Sequence, residues 1–181
     1  MSASSYNSFH DHSAFKKRIA TCIYENRKSS IVRHHNAKYG GKFPLWVIIE
    51  FFSMGMLSHF YRGMKNQDKA YLAQALHGVN YQTMLSWLRC LTDLRNRCAH
   101  YARLYYWKFP ATPKMPSHIK YVPTRRLFAQ LYMLKMMYPV PNSWNQDILK
   151  PLVRLMKKYR PYISSDHLDF PYYWKSMLTI K

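Results

Sequence analysis

The sequence predicts an all-α protein, and three observations carry that prediction. Only five glycines occur in 181 residues, too few for the many tight turns of an all-β sandwich. Apolar residues recur at three- and four-residue spacing through several long stretches. Most of the prolines fall between those stretches, where they end helices. No strand pair and no internal repeat is evident. With 48% hydrophobic and 17% aromatic residues, the chain can bury the core of one domain of ordinary size.

The elements follow in order. Residues 1–12 are rich in Ser, Asn and His and are expected to form a disordered tail ahead of a helical domain spanning 13–181. A helix is expected from Ser13 to Lys28 and a shorter one from Ser30 to Tyr39, stopped by Gly40-Gly41. Pro44 suits the first turn of the next helix, which runs through Trp46, Ile49, Phe52, Met56 and Phe60, with Gly55 and Gly63 weakening or ending it. Asn66 to Leu76 begins on a capping amide and ends at Gly78. The longest periodic stretch is Tyr81 to about Trp107, with Trp87, Leu91, Leu94 and Cys98 on one stripe. Pro110, Pro113 and Pro116 then impose an extended connector over 109–123. The remainder, 124–181, holds a helix through Leu127, Leu131 and Leu134 and another from Trp144 to Tyr159, bent near Pro151.

Charge narrows the function. Twenty-eight Lys and Arg against eight Asp and Glu give a formal charge of +20, which makes nucleic acid the default partner. Tyr and Trp interleaved with the cations favour RNA, whose unpaired bases stack on aromatic rings. Three cysteines without CxxC spacing predict neither a disulfide framework nor a structural zinc site, and point to a reducing cytoplasm. The apolar run Leu45 to Leu57 is too short to span a bilayer and contains Glu50, so no membrane partner is expected. The close acidic pair Asp166 and Asp169 lies in a Pro-bounded tail, which argues against two-metal catalysis. Cys98 with His100, or His34 beside His35, lacks a second half of a metal site. No phosphate-binding loop, dinucleotide fingerprint or serine nucleophile elbow is present. Neither a metal nor a cofactor is expected.

The run Leu94-Arg95-Asn96-Arg97-Cys98-Ala99-His100 suits one chemistry, the attack of a ribose 2′-hydroxyl on the adjacent phosphate. Histidine moves protons near neutral pH, and a fixed guanidinium holds charge developing on phosphate oxygens. His100 is the candidate general base or acid, Arg95 the charge holder and Asn96 the orienting amide. On a helix Arg95 and His100 lie about 140° apart, whereas Asn96 and His100 share a face. The stripe at Leu91, Leu94 and Cys98 leads one to expect Arg95 and Asn96 along a buried seam, at a cleft or an interface between two copies. Arg27 with His34 and Arg160 with His167 repeat the bare pattern without such a stripe and are taken as chance. Arg89, Arg97, Arg103, His34 and His35 are candidate RNA contacts. A non-catalytic module holding a structured or guide-like RNA is the alternative reading.

Two motifs also resemble a known family. Gly41-Lys42-Phe43-Pro44-Leu45-Trp46, continuing through Ser53-Met54-Gly55-Met56 to Phe60-Tyr61, is similar to the Abi-like abortive-infection proteins. So is Trp87-Leu88-Arg89 followed by Leu94 to His100 with Arg103-Leu104, and so is the late Phe170-Pro171 with Trp174. The likeness covers about residues 30–178. It implies the HEPN superfamily, hence a HEPN-like helical bundle extended here by the connector and the C-terminal helices. It also implies a metal-independent endoribonuclease whose Arg–polar–x₃–His motif falls on Arg95, Asn96 and His100, completed by a second domain and so by a homodimer. Members act as toxins in bacterial antiviral defence, some alongside a small non-coding RNA. They are usually longer, and this chain is expected to lack most of their N-terminal region. Some HEPN toxins carry a Tyr two residues after the His that an antitoxin modifies; that position is Ala102 here, so silencing by that route is not expected.

Overall fold

A computed structural model describes residues 3–180. Nine α-helices and no strand occur among the described residues, and a lone antiparallel bridge joins Tyr6 to Met64. The fold is all-α. The chain divides into two compact units, Met1–Leu72 and Ala73–Lys181, with the boundary inside a helix, not at the proline connector.

The first unit holds α1 (His12–Glu25), α2 (Ser30–Tyr39), α3 (Leu45–Ile49), α4 (Met54–Gly63) and the start of α5 (Asn66–His77). Short polar side chains set three of these starts. Asp11 accepts the Ala14 N–H at 2.9 Å, Ser29 the Val32 N–H at 3.4 Å and Ser53 the Met56 N–H at 3.2 Å. Gly40 ends α2 in the left-handed region at φ 57°, where a side chain would be strained. The single helix expected through Trp46 and Phe60 is two helices, broken at Glu50 to Ser53. Almost every residue from Trp46 to Phe52 is apolar, and one straight helix cannot turn them all toward one core. The break lets Ile48 and Phe52 join Tyr6, Phe15 and Ile19 in a buried cluster. Phe15, Phe52 and Phe60 pack ring on ring there at 5.8–6.2 Å between centroids. The Cys22 thiol donates to the Phe51 carbonyl at 3.0 Å, one of the groups the break frees.

The segment before α1 is held in place. Tyr6 is buried, and the Asn7 side-chain amide donates to the Arg62 and Met64 carbonyls at 2.8 and 3.2 Å. The expected disordered tail thus differs over residues 3–11; its first two residues lie outside the described residues. Composition suggested disorder because a single aromatic anchor and one Asn carry the docking.

The second unit contains the end of α5, α6 (Tyr81–Ala99), α7 (Leu127–Met137), α8 (Lys150–Tyr159) and α9 (Trp174–Leu178). Asn80 caps α6 by accepting the Thr83 N–H at 2.9 Å. Helix α6 buries Thr83, Met84, Trp87, Cys90 and Leu94 and packs on α7, which packs on α9. A π-helical turn, Asn145–Leu149, precedes α8, whose second residue is Pro151. The backbone is helical without a break from Trp144 to Tyr159, so Pro151 falls inside the run, and the wide π turn just before it accommodates the missing N–H. Phe128, Trp144, Leu149, Leu168, Phe170 and Leu178 form the second core cluster. The Trp144 indole donates to the Leu178 carbonyl at 2.7 Å, and the Lys135 ammonium to the Met177 and Thr179 carbonyls at 2.6 and 2.8 Å, fixing the end of α9.

The proline connector is a strap bound by side chains. Trp87 Nε1 donates to the Lys114 carbonyl at 2.7 Å, Ser86 Oγ to Thr112 at 3.3 Å and Gln130 Nε2 to Ala111 at 3.2 Å. Phe109 and Pro113 are fully buried. Proline removes backbone donors, and donors from the flanking helices capture the carbonyls that remain.

Candidate functional site

Helix α6 ends in a tight cap that sets the candidate site. His100 is its C-cap residue, and its N–H donates to the Asn96 carbonyl at 3.1 Å. The Tyr101 N–H then reaches the Cys98 carbonyl and the Ala102 N–H the Arg97 carbonyl, each at 3.0 Å. This double closure is the Schellman motif, and it requires a left-handed residue just past the cap. Tyr101 fills that position at φ 50°, where glycine is usual, with its ring 98% exposed. No Gly or Pro at this point announces the stop, and so the helix expected to reach Trp107 is shorter.

Arg95, Asn96 and His100 are all exposed on this last stretch. The Arg95 guanidinium donates to the Asn96 amide oxygen at 3.2 Å, which pairs the two. Among the described residues, no hydrogen bond joins the His100 imidazole to either of them. The expected seam is corrected in one respect: Cys98 is exposed, and the buried stripe stops at Leu94. The polar residues therefore stand beyond the end of the seam, on a surface where another molecule can reach them.

The basic candidates separate. Arg89 and Arg103 are exposed. Arg97 is committed within the chain: its guanidinium carbon lies 3.3 Å from the Trp107 ring centroid, and Nε donates to the Arg103 carbonyl at 2.9 Å. It pins the loop after α6 back onto the helix. His34 is exposed and His35 buried, both in the first unit. Of the chance pairs, Arg27 covers the Tyr24 ring at 4.4 Å. His167 accepts or donates one bond at each ring nitrogen, to the Tyr105 and Tyr106 hydroxyls at 2.7 and 2.8 Å.

Asp93 is a group the sequence reading passed over. It lies three and seven residues before Asn96 and His100, which puts all three on one helix face. Its Oδ2 is buried with no hydrogen-bond partner, and burial raises its pKa above the usual carboxylate value while Arg89 works against that. The available signal was that spacing. Asp93 also helps push the neighbouring Cys90 thiol up to about 11, although burial is the larger cause. Among the described residues, no group of three or more His, Cys, Asp or Glu side chains is placed to hold a metal ion. None of the helices described is long and apolar enough to cross a membrane.

Fold and site together describe a basic helical protein with an Arg–Asn–His end on its longest helix. The Abi-like protein family model matches residues 2–106, and the chain belongs to that family. Membership places it among proteins of abortive-infection defence. The match contains Arg95, Asn96 and His100. It begins earlier than the motif likeness and ends before α7, so the Phe170-Pro171 segment lies outside it. No curated protein and no solved structure matches the chain.

Proposed function

We propose that the chain is a metal-independent endoribonuclease of HEPN type, acting in the cytoplasm as an anti-phage toxin and completed by a second copy of itself. The supporting observation is the exposed Arg95–Asn96 pair beside His100, at a fixed helix end inside the family-matched segment. The neutral His100 imidazole of one copy takes the proton from the ribose 2′-hydroxyl. The 2′-oxygen bonds to phosphorus, the bond to the 5′-oxygen breaks, and the imidazolium of the second copy protonates that oxygen. The products are a 2′,3′-cyclic phosphate and a 5′-hydroxyl. Arg95 holds the charge on the phosphoryl oxygens and Asn96 keeps the guanidinium aimed. Arg89 and Arg103 supply phosphate contacts, and a small non-coding RNA is a candidate partner as well as substrate.

The reaction is tested by RNA cleavage in EDTA, with cyclic-phosphate ends. His100→Ala is expected to lower the rate a hundredfold or more. Cleavage that requires magnesium, or that survives His100→Ala, overturns the proposal. The second reading, an RNA-binding module without turnover, is favoured by the lack of a hydrogen bond between His100 and Arg95 within one chain. It predicts steeply salt-dependent RNA binding and no cleavage by any dimeric form.

A further inference from the structure

An aromatic-lined groove lies in the first unit, away from the Arg95–His100 helix end in sequence. Its volume is about 940 Å³, and its walls include His34, His35, Tyr39, Phe43 and Trp46, with Lys42 at its edge. The fold builds this groove deliberately from a turn. The left-handed Gly40 and Gly41, at φ 57° and 73°, reverse the chain after α2 and lay Phe43 against the His35 ring, stacked at 5.3 Å and 18°. Trp46 then stands edge-on to His35 at 6.5 Å, and Tyr39 edge-on to His34 at 5.6 Å. Trp46 and Tyr39 remain 63% and 48% exposed. Two large rings are thus held with open faces over an apolar floor, a costly arrangement unless something stacks there.

Charge identifies the occupant. Between Glu25 and Glu50 no acidic residue occurs, whereas Arg27, Lys28, Arg33, Lys38 and Lys42 all fall there and all are exposed. An apolar protein helix gains nothing from that fringe, and a polyanion carrying flat apolar groups gains from both parts. His35 adds a polar reader. Its Nδ1 lies 2.9 Å from the Ile31 carbonyl, which only accepts, so Nδ1 carries the proton and the neutral ring keeps Nε2 as an acceptor.

We propose that this groove binds an unpaired nucleobase of single-stranded RNA, stacked on Trp46 and Tyr39, with Lys42 on the adjoining phosphate. His35 Nε2 offers an acceptor to an N–H on the base edge, the uracil N3–H as well as an exocyclic amine. The proposal rests on the reading of this chain as an RNA-acting protein, but it concerns recognition and not cleavage. A volume near 940 Å³ accommodates a whole nucleotide.

The test is binding of labelled oligoadenylate, oligouridylate and duplex RNA to the full-length His100→Ala protein, followed by fluorescence anisotropy across a salt series. Trp46→Ala is expected to weaken oligoadenylate binding about tenfold or more while duplex binding is unchanged. Trp46→Phe should retain most of the affinity, and Lys42→Ala should reduce the salt slope by about one. His35→Phe should weaken oligoadenylate and oligouridylate binding alike. Circular dichroism controls for folding, and Trp46 is exposed enough to be removed without loss of core. Unchanged oligoadenylate binding by Trp46→Ala, or an equal loss on duplex RNA, overturns the proposal and leaves the groove as a protein-docking face. Because no cleavage is read, failure here is separate from failure of the nuclease assignment: the latter shows as His100-independent cleavage or none.

Discussion

Arg97 sits over Trp107, 3.3 Å from guanidinium carbon to ring centroid, and together with its bond to the Arg103 carbonyl this contact returns the loop after α6 to the helix that carries His100. An arginine that the sequence offers as an RNA ligand is thus spent on holding the site's own backbone. Removing it should act on the site through geometry and leave the charge footprint on RNA unchanged.

Arg97→Ala is expected to lower stability by about 1–2 kcal/mol, the sum of a lost cation–π contact and a lost hydrogen bond to a carbonyl. Chemical denaturation measures this. The salt slope of RNA binding should be unchanged, whereas Arg103→Ala should reduce it by about one. A reduced slope for Arg97→Ala would return that residue to the RNA surface.

Tyr101→Gly is expected to stabilise the protein by about 1 kcal/mol, since glycine adopts φ 50° without the steric cost a Cβ incurs. The ring is almost wholly exposed, so little packing is lost in exchange. Thermal unfolding should shift upward by a few degrees. Any fall in RNA cleavage alongside that shift would show that the tyrosine ring is kept for contact with RNA or a second copy.

Gly63→Ala should destabilise, although alanine is the better helix former. A Cβ there would sit 2.4 Å from the His10 Nδ1 atom, and the His10 ring is itself stacked on Tyr6 at 4.1 Å. The ring has to move, at about 1–3 kcal/mol, and the segment before α1 loosens with it. Limited proteolysis within residues 3–11 should accelerate, a change that ordinary helix propensity would not produce.

Acid should weaken the fold through three histidines. Burial lowers the pKa of His10, His59 and His77, with His12 adding to the effect on His10 and Arg62 and Arg18 on His59. A carbonyl hydrogen bond from Met136 partly opposes it at His77. Their folded values lie below the ordinary 6.5, so just below that pH the unfolded chain binds more protons than the folded one. Stability should therefore be full above about pH 6.5 and fall as pH drops through the window beneath it. His77→Gln should flatten part of that slope in denaturation measured from pH 7 to 5.

Trp144→Phe should cost about 3 kcal/mol, because it leaves the Leu178 carbonyl unpaired in the interior and opens a cavity beside Tyr138. Isothermal urea unfolding would give the value. A loss below 1 kcal/mol would mean that the end of α9 is held by Lys135 and by the Asn145 side chain, which exchanges hydrogen bonds with the Ile180 backbone at 2.6 and 3.0 Å.

What the sequence made legible was local. The bounds of α2, the apolar face of α7 and the irregularity at Pro151 all follow from spacing and from residues with one strong preference. The breaks at Glu50 to Ser53 and at Tyr101 were hidden, since neither carries Gly or Pro and each is imposed by packing or by carbonyl closure beyond the helix end. The docking of residues 3–11 was hidden for a similar reason: Tyr6 and Asn7 act through partners more than fifty positions away. Within the site, the shared face of Asn96 and His100 was accessible from spacing, whereas the Arg95–Asn96 pairing and the exposure of Cys98 were not. Asp93 escaped notice because burial, not its neighbours in sequence, makes it unusual.

The strap over 109–123 has a further consequence. Three different side chains, Ser86, Trp87 and Gln130, each take a particular carbonyl of it, so its length works as a ruler between the end of α6 and the start of α7. Ordinary loops absorb insertions because nothing reads their individual residues. Here a single inserted residue between Ala111 and Lys114 would put the later carbonyls out of reach of their donors, so the residue count of this stretch is set by the spacing of donors on two other helices.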